Sequence, residues 1–114
     1  MNVKSKVWLE KNGELAFGAG KTAILKAIKE AGSINKAAKK MDMSYRHAWS
    51  YIHSAERRLG EPLLVKSKGG KDGGGAILTK YAEGLLIKFE QLEQEVKEFA
   101  DSRFRGIFKD LGDI

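Results

Sequence analysis

The sequence contains no cysteine, which excludes disulfides, thiolate metal ligands and thiol chemistry. Its single proline lies outside any helical pattern and 42% of its residues are hydrophobic, so the composition is that of an ordered globular protein. No apolar run approaches the roughly 18 residues of a membrane-spanning helix. The first residues are charged where a secretion signal needs an apolar core. We therefore expect a cytoplasmic protein with no membrane partner.

Charge is distributed unevenly along the 114 residues, which suffice for one domain and an extension. Residues 1–78 carry 15 Lys and Arg against 7 Asp and Glu, a net charge of +8. Residues 79–114 carry 6 against 8, a net charge of −2. A basic body suggests that it binds a polyanion, although a lysine-rich solvated surface explains the same charge equally well.

Residues 3–18 have the pattern of a β-hairpin. Val7 and Leu9 alternate with Lys6, Trp8 and Glu10. Asn12-Gly13 is a strong signal for a two-residue turn, and Leu15 and Phe17 resume the alternation. Because an isolated hairpin is marginally stable, we expect this one to pack on the helices that follow.

The next segment, Gly18-Ala19-Gly20-Lys21-Thr22, resembles the end of a phosphate-binding P-loop. The full pattern requires a further glycine where this chain has Leu15, and the preceding hairpin supplies no parallel-sheet unit to hold a nucleotide. We therefore expect these glycines to let the chain leave a strand and begin a helix.

Three helical patterns follow. The first, residues 22–31, buries Ile24, Leu25, Ala27 and Ile28 and ends at Gly32. The second begins at a Ser33 cap and runs through Met41. A tight connection leads to the third, which Ser44 caps and which Gly60 and Pro62 end. Two short helices so tightly joined predict a helix-turn-helix, with an unrelated three-helix core as the alternative.

The third helix has the features of a DNA-recognition helix. Its apolar face contains Ala48, Ile52, Ala55 and Leu59, and we expect Trp49, at the edge of that face, to lie in the core. Its other face carries hydrogen-bonding side chains near the N-terminal end, where a helix in the major groove contacts bases.

Apolar residues 63–65 and 76–78 flank a loop rich in glycine and lysine, which predicts a cationic wing hairpin, although a solvated loop is the alternative. The candidate DNA contacts are the polar, aromatic or cationic side chains of the wing and the helix-turn-helix: Ser33, Ser44, Tyr45, Arg46, His47, Ser50, His53, Lys66, Lys68 and Lys71.

Thr79 can cap a long helix that runs to about Phe104 or beyond, roughly 39 Å at 1.5 Å per residue. That exceeds what the domain needs to cover its core, so we expect the surplus to pair with a second chain, the alternative being that it folds back on its own domain. Residues 104–114 keep the apolar residues Ile107, Phe108 and Leu111, and we expect a second short helix there that packs on the dimer. The predicted dimer contacts follow a heptad seam: Leu85, Phe89, Leu92, Val96 and Phe99.

The motifs of residues 15–90 together closely resemble the N-terminal domain of ModE-type molybdate-responsive transcription regulators. The segment from Leu59 to Leu64 also resembles the broader LysR-type winged helix. The resemblance implies a homodimer that binds a palindromic operator in double-stranded DNA, often near genes for molybdate uptake or molybdoenzymes. In that family a separate C-terminal domain senses molybdate, and we expect no molybdate-binding domain in this chain. The segments that carry the resemblance are Gly18-Ala19-Gly20-Lys21, Ala31-Gly32-Ser33-Ile34, Ala37-Ala38, Met43-Ser44-Tyr45, Ala48-Trp49, Gly60-Glu61-Pro62-Leu63, the wing glycines and Leu78-Thr79.

The predicted fold is mostly α (α+β): a winged helix-turn-helix with an N-terminal β-hairpin, a wing hairpin and a long C-terminal dimerisation helix. Residues 1–78 form the DNA-binding domain and residues 79–114 the dimerisation helix and tail. We expect no enzyme, catalytic residue, cofactor or metal site, because no acid pair or nucleophile with a base stands at a usable spacing, and His47 and His53 do not share a helix face. The leading function is sequence-specific transcription regulation, and the alternative is an architectural DNA-binding protein or a protein-binding adaptor.

Overall fold

The computed structural model describes residues 1–67 and 75–112, which form four α-helices and two β-hairpins. The predicted α+β winged helix-turn-helix is confirmed. Among the helices of these two ranges, none combines the length and the apolar character of a membrane span. In chain order the elements are β1 (Leu9–Lys11), β2 (Glu14–Phe17), α1 (Ala19–Ala31), α2 (Ile34–Lys40), α3 (Tyr45–Leu59), β3 (Leu64–Ser67), β4 (Gly75–Leu78), α4 (Lys80–Phe108) and a 3₁₀ turn (Lys109–Leu111).

The N-terminal hairpin forms as predicted but with a bulge. Asn12 and Gly13 both have positive φ, 55° and 80°, as a tight two-residue hairpin turn requires. The register shifts by one residue between the Leu9–Phe17 and Glu10–Leu15 pairs. Because the extra residue, Ala16, has no partner across the strand, Ala16 and Phe17 are both buried while Leu15 is exposed. The expectation that Leu15 and Phe17 lie on the same face of the hairpin is therefore wrong.

Side-chain caps and left-handed glycines set the helix ends. The hydroxyl oxygens of Ser33 and Ser44 each accept a hydrogen bond of 3.0 Å from a backbone amide in the first turn of α2 and α3. Gly32 and Gly60 end α1 and α3 with φ of 79° and 76°. These predicted caps are confirmed, although α1 begins at Ala19 rather than at Thr22.

The core lies where α1 crosses α2 and α3, with one end closed by Phe17 and Phe89. Small residues, Ala37 and Ala38 of α2 and Ala48 of α3, are fully buried and let these helices approach closely. The largest fully enclosed side chains are Phe17, Ile24, Leu25, Ile28, Ile52, Leu63 and Phe89.

The base of the wing is joined to the helix-turn-helix. Strands β3 and β4 pair antiparallel from Leu64–Leu78 to Ser67–Gly75. The Ala76 amide donates to the Gly32 carbonyl at 2.9 Å, so β4 is fixed to the turn between α1 and α2. The tip of the predicted wing, including Lys68 and Lys71, lies outside the described residues.

Helix α4 starts at the wing and continues past the domain. The Thr79 hydroxyl caps it and also donates to the Pro62 carbonyl at 2.8 Å. The helix has 29 residues and ends at Phe108, and a 3₁₀ turn follows it. The expected second helix in residues 104–114 is wrong for the described part of that segment, because α4 continues through its first five residues and no further α-helix follows up to residue 112.

The predicted dimer seam needs one correction. Phe89 is only 2% exposed, and its ring packs edge-on against Phe17 with 5.2 Å between centroids. It is therefore a core residue of its own chain and not part of an exposed seam. Leu85, one turn before Phe89, is half-buried and packs against the same core. Further along α4, Leu92 and Phe99 are exposed and Val96 is half-buried.

Candidate nucleic-acid interface

A tight turn sets α2 against α3. Asp42 takes up a left-handed conformation with φ of 55°, and the Met43 amide donates to the Ala38 carbonyl at 2.9 Å. The chain then reverses into the Ser44 cap of α3. The N-terminal half of α3 is thereby held at the surface of the domain, because Ala48 and Ile52 anchor its inner face in the core.

The outer face of this half-helix carries a polar and aromatic surface. Tyr45, Arg46, His47 and Ser50 are all exposed, Tyr45 by 52%. Within the described residues, Arg46 forms no ion pair, so its guanidinium is available to a ligand. No acidic residue precedes Glu56 in α3, and the surface therefore presents donors and positive charge to a polyanion.

Trp49 belongs to this outer face, which corrects the expectation that it lies in the core. The buried stripe of α3 passes through Ala48, Ile52 and Ala55, and Trp49 lies at its edge with 43% of its surface exposed. Its ring contacts the imidazole of His53 edge-on, with 3.8 Å between centroids. A helical period alone does not decide a position at the edge of the apolar face, and the bulky indole is left outside because small alanines fill the interface.

His53 and Glu56 connect α3 to the wing. His53 Nδ1 lies 2.5 Å from Glu56 Oε1, while Glu56 Oε2 accepts hydrogen bonds from the backbone amides of Leu63 at 2.7 Å and Leu64 at 3.4 Å. His53 is thus half-buried with one ring nitrogen engaged, and its predicted contact with DNA stays a prediction. Sequence reasoning missed Glu56, since its partners lie beyond the Gly60 turn.

The N-terminal hairpin supports the C-terminal end of α3, next to Glu56. Arg58 donates to Glu14 at 3.1 Å and to the Leu15 carbonyl at 2.7 Å. Lys11 donates to the Leu59 carbonyl at 3.2 Å, which satisfies a free carbonyl at the C-terminus of α3. The wing and the hairpin therefore both hold the C-terminal part of α3, while the Ser44 cap and the Met43–Ala38 hydrogen bond hold its N-terminus.

The remaining predicted contacts surround α3. The hydroxyl oxygens of Ser33 and Ser44 accept the cap hydrogen bonds, which leaves each O–H free to donate. Lys66 is exposed on β3, and Lys68 and Lys71 lie outside the described residues. The structure adds Lys36 and Lys39, exposed on α2 and without an ion-pair partner among the described residues. In the sequence, the three-residue spacing of Lys36 and Lys39, which places them on one face of α2, could have identified them as candidate contacts.

This fold and this exposed helix define a winged helix-turn-helix domain. A family model described as "Bacterial regulatory helix-turn-helix protein, lysR family" matches residues 21–83, from the first turn of α1 into the start of α4. The match covers more than half of the chain, and the protein belongs to this family.

Several curated relatives share this region. The chain is 45% identical over 71 residues to "Transcriptional regulator ModE" of Haemophilus influenzae, covering 62% of this chain and 28% of the relative. It is 33% identical over 108 residues to "Molybdenum-pterin-binding protein MopB" of Rhodobacter capsulatus, covering 95% of this chain and 40% of the relative. It is also 38% identical over 72 residues to "DNA-binding transcriptional dual regulator ModE" of Escherichia coli K12, covering 63% of this chain and 28% of the relative. The chain thus spans well under half the length of these relatives.

Solved structures share the fold. The DNA-binding domain of CbnR, solved in complex with DNA, superposes with a TM-score of 0.57 at 24% identity, covering 77% of this chain and 94% of that one. ArgP from Mycobacterium tuberculosis superposes with a TM-score of 0.53 at 21% identity, covering 84% of this chain and 41% of that one.

Proposed function

We propose that the protein is a sequence-specific, double-stranded DNA-binding transcription regulator that acts as a homodimer on a palindromic operator. The observation that carries the proposal is the outer face of α3: Tyr45, Arg46 and Ser50 are exposed together on the N-terminal half of a helix whose C-terminal part is hydrogen-bonded to the wing and to the hairpin. A rigid helix with free donors at this end suits the major groove.

In this proposal α3 enters the major groove and Arg46 donates two hydrogen bonds to the O6 and N7 edge of a guanine. Tyr45, His47 and Ser50 contact neighbouring bases or phosphates. The free O–H groups of Ser33 and Ser44 stand at helix N-termini, where a backbone phosphate is stabilised by amides and by the helix dipole. The lysines of the wing, Lys66, Lys68 and Lys71, bind phosphates without reading sequence.

The dimer uses the part of α4 that extends beyond the domain. Its 29 residues give a length of roughly 43 Å. Leu92 and Phe99 expose apolar surface to water there, which a second copy can cover, with Leu85 and Val96 at the margins. Two copies related by a twofold axis present two recognition helices, and their half-sites must lie about 10 bp, or a multiple of it, apart.

The names of the relatives suggest which genes the protein regulates. They include transcription regulators and proteins of molybdenum transport, so we propose operators near genes for molybdate or tungstate handling. This role places the protein in the cytoplasm and assigns it no catalysis.

The test is selection of binding sites from a random duplex pool with the purified full chain at physiological salt, so that non-specific phosphate binding is suppressed. The proposal predicts an enriched inverted repeat. Against that site, Arg46→Ala should weaken binding by about 1–3 kcal/mol and relax the preference at one base position. Lys66→Ala is the matched control, since it should weaken binding to all sequences alike and lower the salt slope by about one.

Two results would contradict the proposal. Tight, steeply salt-dependent binding without an enriched sequence would favour an architectural DNA-binding protein. A complete absence of DNA binding would favour a protein-binding adaptor. A third result bears on Arg46 alone: if Arg46→Ala weakened binding to every sequence alike, Arg46 would not read bases.

A further inference from the structure

A groove to which the proposed function assigns no role lies between the N-terminal hairpin and the first turn of α1. It encloses about 310 Å³. Two lysines line it, and no carboxylate does so among the described residues, so the groove favours a negative ligand. The lining residues are Lys6, Trp8, Leu15, Gly18, Ala19, Gly20, Lys21 and Tyr51.

The N-terminus of α1 opens into this groove without a cap. Gly18 occupies the N-cap position and offers no side-chain acceptor, and the first turn of the 13-residue helix contains no acidic residue. The first amides of a helix have no partner within it, and together with the helix dipole they attract an anion. Among the described residues, no side chain therefore caps or neutralises the positive N-terminal end of α1.

Lys21 supplies a second and independent indication of a ligand. The residue is only 3% exposed, yet its ammonium has no hydrogen bond or ion pair within residues 1–67 and 75–112. Its Nζ lies 4.1 Å from the centroid of the Tyr51 ring, which stabilises the charge but provides no oxygen acceptor. In the described part of the chain no fully enclosed side-chain nitrogen or oxygen lacks a partner. The Lys21 ammonium must therefore reach the open space of the groove.

Charge near Lys21 makes an anion more favourable still. Burial, and secondly the positive charge of Arg58, lower the pKa of Lys21 below its ordinary value of 10.5. Both effects disfavour the ammonium in the free protein. An anion bound at this point would relieve both, since it would accept hydrogen bonds from Nζ and offset the charge of Arg58.

Tyr51 of α3 also lines this groove, where its side chain contacts the first turn of α1. Its hydroxyl packs directly on Gly20, where a Cβ would collide with it. Within the described residues this hydroxyl forms no hydrogen bond, so it adds a donor beside Lys21. Gly20 is thus explained by the close approach of Tyr51 and not by a nucleotide-binding loop, for which the antiparallel hairpins provide no parallel sheet.

We propose that this groove binds a single tetrahedral oxyanion, the chemical class of the phosphate group, through the Lys21 ammonium, the Tyr51 hydroxyl and the free amides of the first turn of α1. Such a group has two sources. A backbone phosphate of bound DNA is one, because Tyr51 stacks at 5.9 Å on the ring of His47, which is exposed on the recognition helix. A free inorganic oxyanion is the other.

The site is tested without DNA, so that its failure differs from failure of the proposed regulator function. Potassium phosphate is titrated into the ¹⁵N-labelled full chain, with potassium chloride holding ionic strength constant. The proposal predicts saturable shifts centred on the amides of Ala19, Gly20 and Lys21. Lys21→Met should abolish them, and Lys26→Met should retain them, since Lys26 is an exposed lysine of the same helix that pairs with Glu90 at 3.0 Å. If the wild-type chain shows no saturable shift, or shifts spread over all lysine-rich surfaces, the site does not exist.

DNA binding then identifies the source, and this step alone depends on the regulator proposal. If the ligand is a DNA phosphate, Lys21→Met weakens binding to specific and random duplexes alike and lowers the salt slope by about one. If the ligand is a free oxyanion, Lys21→Met leaves affinity in chloride unchanged, while phosphate at constant ionic strength changes the affinity of the wild-type chain only. Either result supports the oxyanion site, and a failed phosphate titration overturns it whatever the DNA results.

Discussion

The carboxylate of Glu56 should be the most important single polar group for joining the recognition helix to the wing. It is mostly buried, with 19% of its side chain exposed, and it accepts a 2.7 Å hydrogen bond from the amide of the fully buried Leu63. Glu56→Ala leaves that amide without an acceptor. Hydrogen bonds to charged groups contribute about 1.5–3 kcal/mol, and the weaker contacts with Leu64 and His53 add less, so we expect a loss of about 2–4 kcal/mol in the free energy of unfolding.

The assay is urea unfolding followed by circular dichroism at one fixed protomer concentration, because a dimer's stability depends on concentration. Glu56→Gln keeps an oxygen acceptor and should lose roughly half as much. Glu90→Ala is the control: its ion pair with Lys26 is about half exposed and should contribute about 0–1 kcal/mol. A Glu56→Ala variant within about 0.5 kcal/mol of the wild-type chain would refute the view that this carboxylate holds the wing.

Three further substitutions test other parts of the structure. Phe89→Ala should lower the free energy of unfolding by about 3–5 kcal/mol in the same assay, because it opens a cavity beside Phe17; a loss below about 1 kcal/mol would show that the ring is not in the core. Phe99→Glu should convert a dimer to a monomer in analytical ultracentrifugation while helix content is kept, because Phe99 is 69% exposed; an unchanged sedimentation coefficient would place the interface elsewhere. Lys21 has a lowered pKa when folded, so the unfolded chain binds more protons and stability should rise with pH from the folded-state pKa towards 10.5. Lys21→Met should remove that rise in urea titrations across this range, and an unchanged pH dependence would contradict it.

Local signals in the sequence predicted most of the fold, because the caps act within a few residues. Ser33, Ser44 and Thr79 each accept from an amide three residues ahead, and Gly32 and Gly60 adopt the left-handed conformation that ends a helix. Such short-range contacts are visible in the residue order itself. The exposed position of Tyr45, Arg46 and Ser50 also followed from the period of the apolar face.

The wrong predictions concern residues whose burial depends on contacts that the periodicity of a helix or strand cannot indicate. The heptad seam placed Phe89 with Leu92 and Phe99, but Phe17 of the N-terminal hairpin packs edge-on against the Phe89 ring, which is buried in the core. The bulge at Ala16 reversed the exposure expected for Leu15. Both depend on pairings between segments far apart in the sequence.

The groove at Lys21 likewise depends on a contact between segments far apart in the sequence. The residues of the segment Gly18–Thr22 could not reveal that Tyr51 of α3 packs on Gly20 and beneath the Lys21 ammonium. Likewise, the sequence did not indicate that Glu56 accepts hydrogen bonds from the amides of Leu63 and Leu64, because those residues lie beyond the turn at Gly60.

The central claim is specific recognition of DNA by α3, and the most direct measurement is the ratio of two affinities. The full chain is titrated, at one physiological salt concentration, with the selected inverted repeat and with a scrambled duplex of the same length and base composition. Specific regulators bind their sites about 10³-fold or more tightly than random DNA, and this account predicts a ratio in that range that falls on Arg46→Ala. A ratio near one, with tight binding to both duplexes, would contradict it.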